Sequence, residues 1–133
     1  MIVVDASAVV ELLIDSTDFG DRVRAELAAD AEWAVPGHLV VEVANALRGL
    51  WLGGRASDDV FDAHLYMLGR LEFTTFAVSP LLPRIRALAR NATPYDAAYL
   101  VLAERLHAPL VTVDRKLARV PGVTADVRVI TSD

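Results

Sequence analysis

The sequence predicts an α/β fold with a central, mainly parallel sheet covered by helices on both faces. Three observations lead there. Short runs rich in Val, Ile and Leu alternate with segments of helical period along the whole chain, the pattern of repeated βαβ units. Two of those runs, Ile2–Val4 and Leu110–Val113, have the continuous apolar character of strands buried on both faces. The chain has 133 residues, is 54% hydrophobic, and shows no internal repeat, low-complexity tract or long linker. One domain over residues 1–133, with a single core, is therefore expected.

The elements follow in order. Met1–Val4 reads as a strand ending at Asp5, and Ser7 as the cap of a helix running through Ile14. Ser16–Thr17–Asp18 is a loop before an amphipathic helix to about Ala29. A short strand, Trp33–Val35, stops at Pro36–Gly37. The next helix runs from His38 to Leu50, closed by Gly53–Gly54, and Ser57 opens another with Asp58 and Asp59 in its first turn, where acids suit the macrodipole. Phe73–Val78 is read as a strand, Leu81–Arg90 as a helix, and Thr93–Pro94 as the start of a helix to about His107. Leu110–Val113 ends at Asp114, and Val127–Ile130 forms the last strand.

A membrane reading of this apolar chain fails on pattern. The most apolar stretch, Trp33 to Leu52, is interrupted by His38, Glu42, Asn45 and Arg48, whereas a span needs about 20 mostly apolar residues. The N-terminus lacks a basic region, and Asp5 and Glu11 fall where a signal peptide would be apolar. A soluble, cytoplasmic protein with no membrane partner is expected. Cysteine is absent, which removes disulfides, thiolate metal sites and a Cys nucleophile. The formal net charge is −5, which argues against non-specific attraction to nucleic acid. Lys116 is the only lysine; arginine suits bidentate phosphate contacts, although a genomic bias produces the same skew.

Four acids stand out. In open α/β sheets, ligands bind beyond the carboxyl ends of the strands, and Asp5 and Asp114 each follow an apolar strand there. Asp is among the poorest strand residues. A helix cap for Asp5 and a turn at Asp114–Arg115–Lys116 are the plain structural alternatives. Asp96 closes Thr93–Pro94–Tyr95–Asp96, a helix-start pattern, and an acid in that first turn can also project toward the sheet edge. Glu42 sits among Val40, Val41, Val43, Ala44, Ala46 and Leu47. Such a helix is expected to be buried, and a buried carboxylate is costly unless paired or metal-bound. A salt bridge or a solvated stripe with Asn45 and Arg48 stands as the alternative.

Four converging carboxylates repel and raise one another's pKa values, a conflict that a hard dication resolves. Mg²⁺ takes one or two carboxylates and keeps waters, so Asp5 and Asp96 are the expected metal residues. Glu42 and Asp114 then act through water, a second ion or the nucleophile. Ser7 and Thr112 are nearby hydroxyls for positioning water or phosphate, roles that capping and strand packing explain equally well. Other chemistries fit poorly. No Gly-rich phosphate loop follows the first strand, no G-x-S-x-G elbow exists, and His38, His64 and His107 lack metal-site spacing. Ser7 stands where an aspartyl-phosphate phosphatase needs its second Asp.

The segments Met1–Ile2–Val3–Val4–Asp5–Ala6–Ser7–Ala8, Glu42–Val43–Ala44–Asn45–Ala46–Leu47, Tyr95–Asp96–Ala97–Ala98–Tyr99 and Leu110–Val111–Thr112–Val113–Asp114, in this order and spacing, resemble PIN-domain ribonucleases, most of all the VapC toxins of toxin–antitoxin pairs. The resemblance runs from Met1 to about Arg119. It implies a three-layer α/β/α PIN-like fold and a Mg²⁺- or Mn²⁺-dependent endoribonuclease that hydrolyses structured RNA such as tRNA or rRNA. It also implies a homodimer, and a VapB-like antitoxin whose tail occupies the acidic groove. Carried over by position, the catalytic acids are Asp5, Glu42, Asp96 and Asp114. Some PIN domains carry a further acid two positions after the last of these, where this chain has Lys116. Arg48, Arg55, Arg115 and Arg119 are candidates to line an RNA groove. The competing readings are a non-catalytic RNA- or protein-binding module on the same fold, and a metal-dependent phosphatase or DNA nuclease using the same acids.

Overall fold

The structure is a computed structural model and describes residues 1–132. Five parallel strands form one sheet in the order β3-β2-β1-β4-β5: β1 (Ile2–Val4), β2 (Trp33–Pro36), β3 (Thr74–Phe76), β4 (Leu110–Thr112) and β5 (Val127–Val129). The two runs read as central are central. Val3 lies between Ala34 of β2 and Leu110 of β4, and all three are fully buried. The helices are α1 (Ala6–Ile14), α2 (Asp18–Ala28), α3 (Leu39–Leu52), α4 (Asp58–Arg70), α5 (Leu82–Leu88) and α6 (Pro94–Leu106). α1 packs against α2, α3, α4 and β4, whereas α6 packs against β1, β2, β4 and α5, giving the three-layer α/β/α arrangement. α6 is the most deeply set helix, with Ala97 through Ala103 buried without a break. No helix among the described residues is long and apolar enough to cross a membrane.

Local chemistry accounts for the boundaries. Ser57 caps α4 by accepting from the Val60 N–H at 3.2 Å, and Thr93 caps α6 by accepting from the Asp96 N–H at 3.2 Å. α6 stops where His107 turns to φ 51°, a left-handed residue that closes the helix. Gly20 lets α2 lie against the turn before it. A Cβ there would come 2.1 Å from the Asp15 carbonyl oxygen.

Three expectations are corrected. Asp5, not Ser7, is the N-cap of α1, accepting from the Ala8 N–H at 3.2 Å. The helix expected over residues 81–90 is a 3-10 turn, Ser79–Leu81, followed by the short α5. Pro80 and Pro83 lack the N–H groups that a longer ladder would use. α3 is not buried all round: Leu39, Val43 and Leu47 face the core, while Val41 is 73% exposed, and Val40 and Leu52 also face outward.

Candidate active site

The site starts from strand register. Val4 pairs with Val111 across the central strands, so the next residues, Asp5 and Thr112, stand side by side at the carboxyl edge. Asp5 is only 5% exposed. The Thr112 hydroxyl donates to its Oδ2 at 2.9 Å, and the Ser7 hydroxyl lies 2.9 Å from both of its oxygens. Each hydroxyl also accepts a backbone N–H from the end of β4: Ser7 from Val113 at 3.3 Å, Thr112 from Asp114 at 2.9 Å. Ser7 and Thr112 therefore pass the polarity of the β4 terminus on to Asp5. The capping reading of Asp5 and the functional one are both satisfied, because one carboxylate oxygen receives the Ala8 N–H while the group remains at the sheet edge. No basic side chain pairs with Asp5 among the described residues. Burial pushes its pKa from 3.8 up to about 6, against the pull of the Ser7, Thr112 and Ala8 hydrogen bonds, and the Asp114 charge adds to the rise.

The other acids come from separate elements. Asp114 follows β4, caps a 3-10 turn (Arg115–Arg119) by accepting from the Lys116 N–H at 2.9 Å, and has the Lys116 ammonium 3.9 Å from its Oδ2. Its turn-forming role is thus real. Asp96 lies in the first turn of α6 and is raised by burial and by the Asp114 charge, with Lys116 and His38 opposing. Glu42 lies in the first turn of α3, raised by burial and by Asp96, while the Tyr99 hydroxyl, 3.2 Å from Oε1, opposes. Asp114 thus acts on both Asp5 and Asp96, and Asp96 acts on Glu42, so the four predicted acids are linked in a chain, Asp5 to Asp114 to Asp96 to Glu42.

They do not form a closed cage. Among the described residues no three His, Cys, Asp or Glu side chains gather closely enough to hold an ion by themselves. The tight convergence expected from the sequence is therefore a looser arc.

Two residues belong to the site that sequence reasoning did not place there. Tyr99, buried on α6 one turn beyond Asp96, has its phenol pKa raised by burial and by the charges of Glu42, Asp5 and Asp96. Its position three residues after Asp96 on one helix was the available signal. His38, which lacks metal-site spacing to the other histidines, precedes Glu42 by one helical turn, and its Nε2 stands 3.6 Å from Glu42 Oε2. Both atoms are buried, and neither has a hydrogen-bond partner. The His38 ring meets Tyr99 at 5.1 Å and Tyr95 at 5.7 Å, both edge-on. Burial lowers its pKa, with a backbone hydrogen bond at Tyr95 and the Asp96 charge opposing. His107 is exposed at the far end of α6, and His64 is half-buried on α4.

This donor set fits a divalent ion held by one or two carboxylates and water. The donors are hard oxygens, Asp5 is a buried acid with no counter-charge, and Glu42 Oε2 is a buried acceptor left unfilled. An arc without a third direct ligand suits an ion that keeps part of its hydration.

Comparison with known proteins places these features in context. The sequence matches the PIN domain family over residues 2–123. It is 34% identical to Ribonuclease VapC12 of Mycobacterium tuberculosis over 130 residues, which is 98% of this chain and 99% of that protein. It is 37% identical to Ribonuclease VapC3 of the same organism over 118 residues, 89% of this chain and 85% of that protein. In structure it is similar to PAE2754 from Pyrobaculum aerophilum, with a TM-score of 0.70, 27% identity, and coverage of 94% of this chain and 81% of that one. The sarcin-ricin loop cleaving toxin VapC20 of M. tuberculosis shares the fold at a TM-score of 0.68 and 14% identity, with coverage of 93% and 97%.

Proposed function

The chain belongs to the PIN-domain family, among the VapC ribonucleases, and from that membership we propose that it is a Mg²⁺-dependent endoribonuclease, the toxin of a VapBC-type pair, cutting structured RNA such as tRNA or rRNA. The proposal takes residues 1–133 as one PIN-like domain acting in the cytoplasm. Asp5, Glu42, Asp96 and Asp114 are its catalytic acids. The observation that carries it is Asp5: a buried carboxylate, raised to about 6, uncompensated by any basic side chain among the described residues, and aimed at the same edge as the other acids.

Asp5 and Asp96 would hold Mg²⁺ or Mn²⁺, which when bound polarises the phosphodiester, lowers the pKa of water and steadies the leaving oxygen. The chain's own groups do the rest. Ser7 and Thr112 hold Asp5 in one orientation by hydrogen bonds to both of its oxygens. Tyr99 holds Glu42 by Oε1, while the buried Oε2 faces His38 Nε2 at 3.6 Å, so this pair fixes the Glu42 carboxylate at the edge of the site. Lys116 offers an exposed ammonium beside Asp114 for a substrate phosphate, and a lysine there supports one ion rather than two. Membership of the family implies hydrolysis that leaves a 5′-phosphate.

The outward apolar residues of α3 and α4, Val40, Val41, Leu52, Val60, Leu65 and Met67, support a homodimer or an antitoxin seat. VapBC complexes occur among proteins of this fold, such as VapBC2 from Rickettsia felis, which favours a VapB-like partner. The test is cleavage of total RNA by wild type and Asp5→Asn, with Mg²⁺ and with EDTA, followed by sequencing of the new ends. Metal-dependent cuts bearing 5′-phosphates, absent in the variant, are expected. Intact RNA with measurable binding would instead favour the non-catalytic module, and cleavage of DNA or a small phosphoester alone would favour the phosphatase or DNA nuclease.

A further inference from the structure

We propose that Tyr95 is a stacking platform for an unpaired nucleobase next to the phosphodiester held at the acidic edge, a subsite that rests on the ribonuclease reading above. Tyr95 directly precedes Asp96 in the first turn of α6 and is 65% exposed. The helix start does not require it, since Thr93 supplies the cap and Pro94 the first helical residue.

The ring is nonetheless held. It meets the His38 ring at 5.7 Å with the planes at 68°, and His38 in turn meets Tyr99 at 5.1 Å and 63°. Three rings therefore run outward from the buried Tyr99 hydroxyl on Glu42 to the solvent-facing Tyr95. A ring fixed before binding loses little side-chain entropy when a base lands on it.

Charge explains why such a contact is needed. The chain carries a net charge of −5, and the sheet edge is lined by acids that repel a polyanion. Its one lysine already lies near Asp114. Stacking is independent of charge, and every base offers a π face. A side chain of a protein partner could use the same ring, but its contact through His38 and Tyr99 to Glu42 joins it to the acidic edge, which favours the base.

The test uses a short single-stranded RNA carrying 2-aminopurine at each position in turn, and matched RNAs with an abasic nucleotide at those positions. Wild type, Tyr95→Ala, Tyr95→Phe and Tyr95→Trp are compared in Mg²⁺. Quenching at one register is expected with wild type, Phe and Trp and not with Ala. KM should rise roughly 5- to 100-fold in Tyr95→Ala with kcat held, and the abasic RNA should cost that variant nothing further. Equal quenching and KM in wild type and Tyr95→Ala would overturn the platform, as would loss of only a protein partner's binding. Absence of RNA cleavage by wild type would reject the ribonuclease reading separately, because the fluorescence arm decides the platform without strand cleavage.

Discussion

The Tyr99 hydroxyl donates to Glu42 Oε1 at 3.2 Å, tying α6 to α3 across 57 residues of sequence. Tyr99 lies one turn beyond Asp96, so the helix that presents one acid also holds another in place. A hydrogen bond to a charged group is worth about 1.5–3 kcal/mol.

Tyr99→Phe removes that bond and keeps the buried ring. We expect kcat for RNA cleavage to fall roughly 10- to 100-fold with KM nearly unchanged, read by steady-state kinetics on a defined RNA. A change confined to thermal stability would assign the hydroxyl to the fold alone.

Asp5 sets a pH dependence whose sign is fixed. Its folded pKa is raised from 3.8 to about 6, so the folded state holds that proton more tightly than the unfolded chain does. The stability cost of the ionised group is absent below about pH 4, grows as the pH rises toward about 6, and is complete above it. Asp5→Asn should therefore be more stable than wild type in metal-free buffer at pH 7 to 8, by up to about 3 kcal/mol, while losing cleavage. Melting curves from pH 4 to 8 should show the gap opening between pH 4 and 6. A variant less stable than wild type across that range would contradict the burial argument.

Thr112→Val removes a donor to Asp5 and the acceptor of the Asp114 N–H in one step. The Asp5 carboxyl should rise further, so the acid limb of the kcat/KM profile should move to higher pH. Stability should fall by about 1–3 kcal/mol, because the Asp114 N–H loses its partner. An unmoved acid limb would mean that Asp5 does not govern it.

Much of this was legible in the sequence because it depends on local pattern. The unbroken apolar runs Ile2–Val4 and Leu110–Val113 identified the central strands, and the order of the strands then brought Asp5 and Asp114 to one edge. What the sequence concealed was set by tertiary packing. Whether Asp5 or Ser7 caps α1 depends on where the chain leaves the sheet. α3 reads as buried because its composition is apolar, yet no described element covers Val40, Val41 or Leu52. His38 looked isolated because its partners Tyr95 and Tyr99 lie more than fifty residues away. The looseness of the acidic arc depends on side-chain geometry, which spacing along the chain does not carry.

In the proposed mechanism Asp5 and Asp96, far apart in sequence, grip one dication at the carboxyl edge of the sheet. Calorimetric titration of Mn²⁺ into metal-free wild type, Asp5→Asn and Asp96→Asn tests it without reference to any substrate. Saturable binding by wild type is expected, with affinity reduced at least about tenfold in each variant. Equal affinity in all three proteins would contradict it.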